Sequence, residues 1–177
     1  VFPREIYKPK DMINFSNNNF IFFYENFLKK IKSNKKIHVM KNIDYLGTYY
    51  PRINHIKDSY INWSNSSQEL INFTDAFEEP YIGATTFIKL GKKTIKVNFR
   101  DVQLTAGQNN HSFISGLILK NYKDFLIVAT KDSKNLIIQK VLHQNKNIIQ
   151  KLKQGSRFFT PVKFLEKAKN IRTYYNT

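Results

Sequence analysis

After Gly83 the sequence breaks into five short runs rich in β-branched, aliphatic and aromatic residues: Ala84 to Leu90, Thr94 to Leu104, Ser115 to Lys120, Asp124 to Thr130 and Leu136 to Leu142. Turn formers separate them at Leu90-Gly91-Lys92-Lys93, Asn121-Tyr122-Lys123 and Lys131-Asp132-Ser133-Lys134. Five strands at such close spacing predict a small barrel or sandwich. No repeat of fixed period is visible.

The part before Gly83 reads differently. From Asn14 to Lys32, Phe20, Phe23, Tyr24, Phe27, Leu28 and Ile31 follow the three-four spacing of one helical face, with Lys29, Lys30 and Lys32 at the end that favours cations. Val1 to Tyr7 reads as extended, and Pro9 with Asp11 as a turn. Residues 33–60 form a connecting strap with a short extended piece at Ile37-His38-Val39-Met40. A second helix starts at Ser64 or Ser66: Ser66 and Glu69 have capping-box spacing, and Leu70, Phe73, Thr74 and Phe77 share a face. Pro80 and Gly83 stop it, and a last helix spans Pro161 to Lys169.

Composition excludes several classes of function. The chain has 177 residues and is 41% apolar, with 15 Phe and 10 Tyr, which is enough for a packed core. It has no cysteine, so disulfides, thiolate zinc sites and cysteine nucleophiles are ruled out; this fits an intracellular, cytoplasmic protein. Apolar runs such as Phe20-Ile21-Phe22-Phe23 fall far short of the roughly 20 residues that a membrane helix needs. The sequence starts at Val1 rather than Met, as expected of a processed or excised piece. The net charge of +16 would attract polyanions if it were clustered. Lysine is spread along the whole chain among many Asn and Ile, a bias that an A/T-rich coding sequence produces equally well.

Five motifs occur in a telling order. They are Tyr49-Tyr50-Pro51-Arg52; Ile61-Asn62-Trp63-Ser64; Pro80-Tyr81-Ile82-Gly83-Ala84; Leu126-Ile127-Val128-Ala129-Thr130; and Gly155-Ser156-Arg157-Phe158. Together, over about residues 38–175, they resemble the C-terminal portion of the folate-dependent formyltransferases, of the sugar N-formyltransferase and methionyl-tRNA formyltransferase type. The resemblance implies an α+β chain. An OB-like five-stranded β-barrel would be preceded by a strand-helix remnant of a Rossmann-like catalytic domain. Residues 1–37 would end the catalytic domain, 38–83 would be connector and helix, and 84–177 the barrel with its terminal helix.

It also implies a chemistry. Such enzymes transfer a formyl group from 10-formyltetrahydrofolate to an amine, using Asn and His of an Asn-x-His motif and an Asp. All three would precede Val1, so this segment alone is expected to lack catalytic residues and to leave the folate unbound. Asn109-Asn110-His111 spells Asn-x-His but falls in a polar loop, where a histidine supporting the turn into Phe113 and Gly116 is the favoured reading. In the tRNA-type members an Arg-Ala pair and a Pro stand where Asp75-Ala76 and Ile82 stand here. Along with the His111-to-Ile118 segment, these differences favour a nucleotide-linked amino sugar as acceptor, with methionyl-tRNA or a non-catalytic nucleic-acid-binding module as alternatives.

The remaining candidates are few. Lys92, Lys93, Lys96, Arg100, Lys151, Lys153 and Arg157 form the best anion- or substrate-contacting face, against the ordinary reading of a solvated lysine surface. Phe87 and Phe99, on the same strands, read as core. Trp63 beside a helix start reads as a core anchor rather than a ligand contact. His38, His55, His111 and His143 lack metal-ligand spacing, so no metal is expected. Asp11, Glu25, Asp75, Glu78 and Glu79 offer no identifiable acid/base pair.

Overall fold

A computed structural model describes residues 2–33, 53–107 and 110–169. The extended piece expected at 37–40, most of the strap and the Tyr49-to-Arg52 motif lie outside the described residues.

The first helix, α1 (Pro9–Lys32), begins five residues before the expected start at Asn14. Pro9 starts the helix instead of marking a turn, because a first-turn residue needs no N–H bond and proline already has the required φ. Ahead of it, Ile6 N–H donates to Pro3 O at 3.0 Å. The expected extended segment is therefore a turn, with no partner strand among the described residues.

Helix α2 (Ser67–Ala76) starts where the capping spacing places it. Ser66 accepts from the Glu69 N–H, and the Glu69 carboxylate accepts from the Ser66 N–H at 2.7 Å. Leu70, Ile71 and Thr74 turn inward, and the helix packs on the second and fifth strands.

All five predicted runs contain a strand: β1 (Ala84–Leu90), β2 (Lys93–Ala106), β3 (Ile118–Asn121), β4 (Leu126–Ala129) and β5 (Lys134–His143). Two strands of two residues each, β6 (Lys146–Asn147) and β7 (Phe158–Phe159), raise the number in the single antiparallel sheet from five to seven. They are too short to show any alternation in sequence. The order is β3-β4-β5-β2-β1-β7, with β6 beside β5. The sheet curls until its outer strands meet. Leu117 and Arg157 form an antiparallel bridge, Phe158 N–H donates to Gly116 O at 2.8 Å and Ile118 N–H to Ser156 O at 2.8 Å.

That seam requires a glycine. Gly116 has φ +82°, and a Cβ there would lie 2.3 Å from Phe158 O and 3.3 Å from the Trp63 ring. Inside the curl sit Ile88, Val97, Phe99, Ile118, Leu126, Val128, Leu136, Ile138 and Phe158, all essentially inaccessible. Phe99 meets Phe158 edge to face at 4.8 Å. Helix α3 (Val162–Lys169) lies outside, where Phe164 stacks on Tyr60 at 4.7 Å and on Phe87 at 4.9 Å.

Candidate functional site

The segment entering α2 is fixed to the start of β1. Ile61 N–H donates to Thr85 O at 2.8 Å, Thr85 N–H donates to Ser59 O at 2.7 Å, and the two hydroxyls of Ser59 and Thr85 are 2.8 Å apart. Trp63 Nε1 donates to Thr86 Oγ1 at 3.0 Å, while its ring lies against Phe99 and Phe158. Trp63 is thus an anchor, as its position beside a helix start implied. From the turn between β4 and β5, Asp132 accepts from the first N–H of α2, at Ser67, at 2.8 Å. Burial pushes this carboxyl up, but bonds from Ser67, Thr130 and Lys134 outweigh that and hold it at about 2.

At the other end of α2 the four ion pairs of the described residues gather in one place. Lys8 faces Asp75 at 3.7 Å, Lys10 meets Glu79 at 2.7 Å, Arg100 meets the same carboxylate at 2.8 Å, and Lys140 meets Asp101 at 2.6 Å. Glu78 accepts from the Asp101 N–H at 2.7 Å, which supports the left-handed turn of Asp101 at φ 54°. All of these groups but Asp75 line a cleft of about 270 Å³ between the first turn of α1 and the sheet. The bond and charge of Lys10, aided by Arg100, lower the Glu79 carboxyl, whereas burial raises that of Asp75 despite Lys8. Asp75, Glu78 and Glu79, which offer no identifiable acid/base pair in sequence, meet residues 8, 10, 100 and 101. No local spacing reveals these partners.

The seven cations of the expected basic face have different surroundings. Arg100 is half-buried and bound to Glu79 and the Tyr81 carbonyl, so it belongs to the ionic cluster. Arg157 is exposed and binds the Phe113 carbonyl at the seam of the sheet. Lys92, Lys93 and Lys96 are exposed on the β1–β2 hairpin, and Lys151 and Lys153 are exposed before β7. Phe99 is buried and Phe87 packs against Tyr60 and Phe164, so these aromatic rings are not presented beside the lysines.

His111 precedes a 3-10 turn, Ser112–Ile114, and its Nδ1 accepts from the Phe113 N–H at 3.3 Å. Its ring stacks on that of Phe113 at 4.7 Å, consistent with a loop-supporting residue. Asn110 donates to Asn135 Oδ1 at 2.7 Å, and Asn109 lies outside the described residues. Among the described residues no group of three His, Asp or Glu side chains is placed to hold a metal, and no helix is long and apolar enough to cross a membrane.

The family model "Formyl transferase, C-terminal domain" matches residues 55–155, more than half of the chain. The matched stretch begins just before the β1-anchored segment and ends at the seam. The chain belongs to the formyl transferase C-terminal domain family. No curated protein matches it.

Proposed function

We propose that this chain is the C-terminal portion of a formyltransferase that moves a formyl group from 10-formyltetrahydrofolate to the amine of a nucleotide-linked amino sugar. The neutral amine attacks the formyl carbon, and tetrahydrofolate leaves from a tetrahedral intermediate. The catalytic Asn, His and Asp belong to a preceding domain, residues 1–37 end that domain, and residues 84–177 form an OB-like barrel with its terminal helix. The observation that carries the family reading is the match over residues 55–155.

Helix α1 supports the division into domains. Phe20, Ile21, Phe22, Phe23 and Tyr24 are all more than half exposed, and no residue of the helix is buried. Five consecutive large apolar residues cover every side of a helix, a pattern that belongs inside a larger domain.

The amino-sugar reading rests on Asp75 and Ile82. Where tRNA-type members carry a cation, this chain has a carboxylate that is 17% exposed and faces Lys8, so the position offers no charge to phosphate. The runner-up acceptor is methionyl initiator tRNA, favoured by the lysines at 92, 93 and 96. Titrating the chain with initiator and elongator tRNA tests the choice. Weak binding, insensitive to tRNA identity, is expected. Tight initiator-specific binding, lost along with its salt dependence when the three lysines become Glu, would overturn the sugar reading.

A further inference from the structure

One cavity is lined by Asn110 and His111, to which the formyl-transfer chemistry gives no catalytic role. It measures about 700 Å³, within the size range of small-molecule sites, and lies beside the loop that carries Asn110 and His111. Ile114, Leu119 and Ile127 supply apolar surface, while Asn110, His111, Lys120 and Asn135 supply polar groups.

Three of these polar side chains are held in place. His111 is exposed, yet its ring is stacked on Phe113 at 4.7 Å and its Nδ1 accepts from the Phe113 N–H. With Nδ1 acting as acceptor, the proton of the neutral ring sits on Nε2, which remains a donor. Asn135 is 7% exposed and its Oδ1 takes the Asn110 amide at 2.7 Å. Among the described residues the Asn135 Nδ2 meets no acceptor, so the amide pair retains both donor and acceptor capacity. Lys120 Nζ stands 6.0 Å from the centre of the Tyr122 ring and is the one ammonium among the described residues of the cavity wall.

Aliphatic surface from Ile114, Leu119 and Ile127 beside an oriented imidazole accommodates an aromatic heterocycle. Paired amides can read the donors and acceptors on its edge, as amide side chains read base edges in nucleic acids. A single ammonium suits one phosphate group. From these features we infer that the cavity beside His111 is a binding site for a nucleoside 5′-monophosphate. This site does not depend on the formyl-transfer reading, although His111 and Ile114 fall within the His111-to-Ile118 segment that favours a sugar acceptor.

The experiment is an NMR chemical-shift titration of the chain with adenosine and uridine 5′-monophosphates, with the nucleosides and inorganic phosphate run separately. At least one nucleotide should saturate and shift the Asn110, His111 and Asn135 signals. The nucleosides and free phosphate should each bind at least about tenfold more weakly, since base and phosphate contacts add. Lys120→Met and His111→Ala, both at exposed positions, should each weaken nucleotide binding about tenfold with circular dichroism unchanged. Gly107→Ala should weaken it too, because a Cβ there would stand 2.6 Å from Asn135 Nδ2. Lys163→Ala, outside the cavity, should leave it unchanged. No saturable shift at millimolar nucleotide, phosphate alone binding as well as nucleotide, or affinity indifferent to Lys120 and His111 would each overturn the inference.

Discussion

Asp132 Oδ2 lies 2.8 Å from the backbone nitrogen of Ser67, joining the β4–β5 turn to the first turn of α2 across 65 residues of sequence. A carboxylate at a helix N-terminus satisfies an otherwise unpaired N–H and interacts well with the helix dipole. Its carboxyl sits at about 2 instead of the ordinary 3.8, so its contribution is complete above that ordinary value and is lost as pH falls toward 2. Asp132→Asn should cost about 1–2 kcal/mol at neutral pH, after discounting for partial exposure. Its acid-unfolding curve should be flatter than that of the unmodified chain between those two values. Urea melts as a function of pH check this; parallel curves would refute it.

Gly116 and Gly155 share a positive φ but differ in surroundings, since a Cβ at 155 meets open space whereas one at 116 strikes Phe158 O at 2.3 Å. Gly155→Ala should cost about 1 kcal/mol from backbone strain alone, and Gly116→Ala roughly 3 kcal/mol or more. Equal losses in thermal denaturation would mean that the seam does not close as described.

The ionic cluster ties α1 to the domain through exposed or half-exposed pairs, which salt screens. Raising NaCl should increase hydrogen exchange at the amides that follow the first turn of α1 while leaving β2 and β5 protected. Glu79→Gln should produce the same pattern at low salt, because Glu79 serves both Lys10 and Arg100. Acid should act in the same direction: the Glu79 carboxyl is lowered by its partners, so its bond is present above the ordinary carboxylate range and disappears as pH falls through its own lowered value.

Helix α1 exposes aromatic residues on all sides in the isolated chain. Light scattering of the 177-residue chain should show self-association, and Phe20→Ser with Phe23→Ser should reduce it while leaving the β-sheet signal intact. A monodisperse monomer at high concentration would count against a larger domain covering this helix.

Much of the fold was readable where the physics is local. Ser66 and Glu69 are three residues apart and signal α2 directly, and the five longer strands announce themselves by composition and by the turns at Gly91, Asn121-Tyr122-Lys123 and Lys131-Asp132-Ser133-Lys134. What escaped is non-local or too short to carry a period. The pairing of Phe158-Phe159 with β1, the Asp132–Ser67 bond and the meeting of Lys10, Glu79 and Arg100 depend on residues tens of positions apart. The Asn110–Asn135 pair escaped for the same reason, so a motif judged as a loop gave no hint of the cavity beside it. Arg100 shows the converse: counted by charge it belonged with the hairpin lysines, yet its strand directs it to Glu79.

The central claim is the acceptor, and one assay addresses it. The full-length protein is incubated with 10-formyltetrahydrofolate and, in parallel, a nucleotide-linked amino sugar or methionyl initiator tRNA, and the products are identified by mass spectrometry. The account predicts an N-formylated nucleotide sugar with unmodified methionyl-tRNA, and no product with either acceptor when the 177-residue chain is used alone. Formyl-methionyl-tRNA with an untouched sugar would contradict it, as would turnover by the chain alone that His111→Ala abolishes.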